Sequence, residues 1–109
     1  MAHYIVTGSY TASAAKGMIA NPSDREAAAR AVVEAGGGKL TSFLLTTGDT
    51  DFSIIVQTDD ISKLLAGLLV VAASGAVSNL KTVQAFTSAE FTAAQKAAAT
   101  IASKYQPPT

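Results

Sequence analysis

The side chains able to do chemistry in this chain are few. His3 is the only histidine, and imidazole is the one side chain that ordinarily titrates near neutral pH, so it is the first candidate base or ligand. Tyr10 and Asp51 join it as candidates for catalysis, on the condition that all three come within hydrogen-bond reach in one cleft. The competing reading of His3 is a solvated edge histidine at the start of the chain. Asp49 and Asp51 flank Thr50, as an acid–base pair at a cleft mouth would; turn chemistry, with each carboxylate accepting from nearby amides, is the favoured reading of the two. Tyr10 and Arg25 fall where a strand hands over to helix, and together offer a phenol and a guanidinium to an anionic ligand. Arg25 has the alternative of pairing with Asp24 or Glu26 on the surface, and Lys16 has a similar surface default. Arg25, Asp49 and Gln57 are the ligand-contact candidates. Asp51 and Glu90 stand at no diagnostic spacing from His3, so no metal is expected, and no motif asks for a cofactor.

Gly38-Lys39-Leu40-Thr41 has the look of a phosphate loop but fails as one. Val33 holds the place of the first glycine, Leu40 follows the lysine where a hydroxyl is needed, and the segment feeds a strand. The eight Lys+Arg balance the eight Asp+Glu, and no basic cluster is available for nucleic acid. Cysteine is absent, which removes disulfides, thiol catalysis and Cys-ligated metal. Charged residues are 15% and hydrophobic ones 49%, against a usual charged share of about 25%. A small chain needs more polar cover than average, so part of this surface is expected to lie against another copy, in a homo-oligomer. An alanine-rich surface is the plainer explanation. No basic, apolar leader precedes the first strand, so a cytoplasmic protein is expected.

The elements that must position these groups follow from periodicity. Residues 4–10 read as a strand. Helix follows over 11–19 and, after Asn21-Pro22, over 23–35, with Ser23 and Glu26 as a capping box and Gly36-Gly37-Gly38 as the stop. Residues 40–47 and 52–58 make a hairpin through Gly48-Asp49-Thr50-Asp51. Asp59-Asp60 caps a helix over 61–73, with Ile61, Leu64, Leu65, Leu68, Leu69 and Ala72 as its core-facing stripe. No charge occurs from Leu64 to Leu80, but small and polar residues break the run before the roughly 20 apolar residues that a membrane span needs. A fourth strand covers 80–86. Thr87 and Glu90 form a capping box for a last helix reaching Tyr105, with Phe91, Ala94, Ala98, Ile101 and Tyr105 expected to pack inward.

The order β-α-β-β-α-β with a closing helix is the ferredoxin-like α+β arrangement in one domain spanning 1–109. Both helices are expected on one sheet face. The other face mixes His3, Ile5, Thr7 and Ser9 with Asp51, Ser53, Ile55 and Gln57, as a cleft shared by two subunits would. With Tyr4-Ile5-Val6, Tyr10-Thr11, Arg25, Gly37-Gly38-Lys39-Leu40 and Gly48-Asp49-Thr50-Asp51, the chain resembles the GYD-domain family over most of its length. It departs at Thr50, where the family usually has tyrosine, and at Asp59-Asp60 for Pro-Asp. The resemblance implies a ferredoxin-like fold related to the dimeric α+β barrels and no assigned activity. The function expected is an oligomeric ligand-binding or scaffold domain without catalysis. The alternative is a cofactor-poor, oxygenase- or isomerase-like enzyme using the barrel cleft; a regulatory subunit with an exposed apolar patch ranks third.

Overall fold

Every second residue of the third strand is buried: Phe52, Ile54, Val56 and Thr58. That period of two places one row of side chains on a covered sheet face. The computed structural model describes residues 1–108. Its elements are β1 (Ala2–Tyr10), α1 (Ala12–Ala20), α2 (Arg25–Ala35), β2 (Lys39–Leu45), β3 (Phe52–Thr58), α3 (Ile61–Ala73), β4 (Val77–Ala85) and α4 (Ser88–Ile101), with a 3₁₀ turn at Ala102–Lys104. The sheet order is β2-β3-β1-β4, and every pairing is antiparallel, as expected of a ferredoxin-like α+β domain.

The core is the covered face of that sheet. Val6 and Val56 are each 1% exposed, and Leu40, Phe52 and Ile54 join them, with Ala29 and Val33 of α2 and Leu64 and Leu68 of α3 packed on top. Arg30 fastens α2 to the edge strand, donating to the Leu40 carbonyl at 3.1 Å and pairing with Glu26 at 2.8 Å. Gly37 ends the α2 segment at φ +80°, a conformation open to glycine at little cost. Two bulges bend the sheet. Opposite Gly8 the partner strand carries both Asn79 and Leu80, and Asn79 takes φ 54°, which Asn tolerates better than most residues.

Four expectations change. The α2 N-cap is Asp24, whose carboxylate accepts from the Ala27 amide at 3.1 Å; Ser23 instead accepts from Arg25, so Glu26 is free to pair with Arg30. β4 begins at Val77 and not at Leu80, because the left-handed Asn79 forms a bulge that continues the strand. On α3 only Leu64 and Leu68 of the expected stripe face the core, while Ile61, Leu65 and Leu69 are 52%, 55% and 62% exposed. The stripe of α4 does not pack inward at all: every residue from Phe86 to Pro108 is exposed. Periodicity identifies an apolar face without showing that the chain's own core covers it. No described helix is long and apolar enough to cross a membrane.

The Thr87–Glu90 capping box is formed as expected, with the Thr87 amide donating to the Glu90 carboxylate at 2.7 Å and the Glu90 amide to the Thr87 hydroxyl at 3.1 Å. The bond from the Thr87 amide, more than any other influence, holds the Glu90 carboxyl below its ordinary 4.5. Because the folded value is the lower one, the cap stabilises fully above pH 4.5 and is lost as pH falls through the folded value. The Thr87 amide resonance should therefore titrate with a midpoint below 4.5 and become flat in Glu90→Gln; a midpoint at or above the ordinary value would mean that the cap is open in solution.

Gly8 lies under the Phe52 ring. A Cβ there would stand 2.6 Å from Phe52 Cζ and 3.1 Å from Leu80 Cδ2. Gly8→Ala is expected to lower unfolding stability by about 1–3 kcal/mol, the cost of overpacking a filled core, read from urea denaturation; an unchanged midpoint would show that the ring is not seated there.

Candidate functional site

The register of β1 against β3 separates the candidate residues into two groups. His3 pairs with Gln57 near one end, and Gly8 with Phe52 near the other. At about 3.3 Å per residue, His3 and Tyr10 lie roughly 23 Å apart along β1. His3, Tyr10 and Asp51 therefore share no cleft, and the condition for an acid–base set is not met.

At the Tyr10 end, Asp51 is held by the backbone. Its carboxylate accepts from the Tyr10 amide at 2.8 Å, its amide donates to the Gly8 carbonyl at 2.8 Å, and its carbonyl accepts from the Thr46 amide at 2.8 Å. Those bonds tie the hairpin to the central strand, the structural role that short acidic side chains take in turns. Asp49 offers only its carbonyl, to the Ser9 hydroxyl at 3.5 Å, and its side chain is exposed. Thr50 uses its carbonyl to accept from the Thr46 hydroxyl at 2.7 Å.

At the His3 end, on the sheet face opposite the core, the Gln57 amide nitrogen lies 2.8 Å from His3 Nε2. With the amide as donor, the neutral ring carries its proton on Nδ1, which is buried without a protein partner. Lys39 completes the row beyond Gln57. No cluster of three or more His, Asp or Glu among the described residues could hold a metal ion.

The concave feature is on the core side. Between α2, α3 and the sheet runs a groove of about 270 Å³. The helices meet closely at two glycines: a Cβ at Gly36 would stand 3.3 Å from the Lys63 carbonyl oxygen, and one at Gly67 would stand 3.1 Å from Val32 Cγ1. The groove walls are almost wholly apolar, with Val32, Phe52, Leu68, Val71 and Val77 among them, and the two charged residues that line it are both cations, Arg25 and Lys63. They stand at the N-termini of α2 and α3, which run in opposite directions, and so mark opposite ends of the groove.

Tyr10 and Arg25 line the same end of the groove, and both also line a shallower hollow beneath α1 with Ala14, Met18 and Asn21. The Tyr10 ring packs on Phe52, centroids 5.5 Å apart at 47°. Arg25 makes no ion pair among the described residues, although a surface pair with Asp24 or Glu26 was the alternative; it donates from Nη1 to Ser23 Oγ at 3.1 Å, using one of five guanidinium donors. The sequence places Tyr10 and Arg25 at one strand-to-helix handover, and the structure has both lining the same two hollows. Lys63 and the glycine contacts were not legible in the sequence, since nothing in the spacing says which helix faces touch.

Comparison with known proteins points to one family. The crystal structure of TTHA0845 from Thermus thermophilus is similar at 18% identity and a TM-score of 0.48, over 81% of this chain and 96% of that one. No curated protein matches. The GYD domain family matches residues 4–95, from the first core tyrosine to the middle of α4. Covering all four strands of the sheet, that match places the chain in the GYD-domain family.

Proposed function

We propose that this chain is a homo-oligomeric binding domain, without catalysis of its own, whose groove between α2 and α3 takes a small apolar ligand carrying one anionic group. The observation that carries the reading is the convergence of Tyr10 and Arg25 on an apolar groove whose charged lining, among the described residues, is wholly cationic. An anion entering such a groove meets a guanidinium with unused donors beside an apolar wall, where charge-assisted hydrogen bonds are strongest. The volume of about 270 Å³ sits at the small end of ligand sites. It suits a medium-chain carboxylate or a small aromatic acid.

The homo-oligomeric part is supported by the shortage of charge, 15% of residues, and by the apolar side chains left in water on α3 and α4. An oxygenase- or isomerase-like enzyme would need His3, Tyr10 and Asp51 in one cleft, and the length of β1 keeps His3 from the other two.

Octanoate should displace the fluorophore 1-anilinonaphthalene-8-sulfonate from the protein, and 1-octanol should do so far less well. Arg25→Ala should weaken octanoate about tenfold or more, as loss of a charge-assisted bond does, and leave 1-octanol unchanged. Equal competition by the acid and the alcohol, or indifference of octanoate to Arg25→Ala, would contradict the reading.

A further inference from the structure

α4 is a well-started helix with nothing of its own chain to pack on. Its capping box is complete, yet every residue from Phe86 to Pro108 is exposed, and Phe91, Ile101 and Tyr105 are 61%, 64% and 68% exposed. A helix of this length is marginal in water and takes most of its stability from burying an amphipathic face. Phe91, Ala94, Ala98 and Ile101 follow at spacings of three, four and three, which aligns them in one seam, and Lys96 falls on the opposite side of the helix; Tyr105 lies past the 3₁₀ turn on extended backbone. The helix also stands off the body: the radius of gyration is 17.8 Å and the longest extent 60 Å, where a compact chain of this size has a radius near 13 Å.

The same chain carries a second unpartnered stripe. Ile61, Leu65 and Leu69 lie along the outer side of α3 and are at least half exposed. Leu64 and Leu68, about a quarter-turn away, face the core. A helix apolar on two sides is a helix covered on two sides. At 1.5 Å per residue, the stripe from Ile61 to Leu69 runs roughly 12 Å and the α4 seam from Phe91 to Ile101 roughly 15 Å, so the two are of similar length.

We infer that α4 of one copy lies antiparallel on the outer stripe of α3 of a second copy, in a reciprocal two-fold exchange. Within one chain α4 finds no such cover: only Phe86 and Thr87 separate it from β4, and every residue from Phe86 to Pro108 is exposed. The antiparallel sense follows from charge. It brings Lys104, just past α4, toward Asp59 and Asp60 at the start of α3, and opposes the two helix dipoles. A reciprocal contact closes on itself and leaves neither stripe exposed. This inference rests on the homo-oligomeric half of the function proposed above.

The absence of cysteine gives a clean test. Equimolar Leu65→Cys and Ala98→Cys chains, mixed and treated with a short bismaleimide, should yield cross-linked dimer well above either chain alone. The double variant should give covalent dimer, not internally bridged monomer. Phe91→Glu with Ile101→Glu, placed at residues already in water so that the fold is kept, should raise the dissociation constant by about tenfold or more in sedimentation equilibrium. No cross-link in the mixture, bridging within one chain of the double variant, or unaltered association of the Glu variant would each overturn the exchange. If wild type sediments as a dimer while the cross-link fails, the exchange falls and the homo-oligomer stands. If it sediments as a monomer, both fall.

Discussion

The antiparallel register of β1 against β3 is the constraint on which the rest of this structure depends. It sets Val6 beside Ile54 and Gly8 beside Phe52, so that the apolar row of one central strand continues the row of the other. A slip of one residue would turn both rows into water. With the rows aligned, the Phe52 ring can rest on a glycine, Asp51 reaches the Tyr10 amide, and Gln57 reaches His3. Each local feature of the two ends is a consequence of that one alignment.

The same alignment divides chemistry from cover. Alternation sends His3 and Gln57 to the face opposite the core and Tyr10 to the helix-covered side, a strand length away. The helix layer then closes the sheet only in part. Gly36 and Gly67 allow α2 and α3 to touch, and the groove beside that contact remains apolar, with a cation at either end. A chain that is 49% hydrophobic thus has apolar surface beyond what its own core uses: within the groove, on the outer stripe of α3 and on α4. In the reading proposed above, a small anionic amphiphile would fill the first of these surfaces and a second copy would cover the other two.

Much of the fold was legible in the sequence because it is local. The alternation of Phe52, Ile54 and Val56 marked β3 at its true ends, Asp60 and the run to Ala73 marked α3, and Thr87 with Glu90 marked the start of α4. Where two residues competed for one role, pattern alone chose wrongly: Ser23 and Asp24 both suit an N-cap, and the winner was decided by the partner that Ser23 found in Arg25. Asn79 reads as a turn until the bulge opposite Gly8 shows its left-handed backbone continuing a strand. Of the site, the placing of Tyr10 and Arg25 along one hollow follows from a strand leading into a helical return. The contact between His3 and Gln57 needed the register, and the part of Lys63 needed the helix packing. The seam of α4 was read correctly as apolar and wrongly as internal, since spacing does not distinguish a chain's own core from that of a neighbour.

Native mass spectrometry of the untagged protein, read at once for subunit number and for retained small molecules, tests the central claim most directly. The account predicts a dimer or higher assembly that retains an acidic, largely apolar adduct when isolated gently and loses it in Arg25→Ala. A bare monomer, with the Arg25→Ala variant indistinguishable from it, would contradict both the shared surface and the groove.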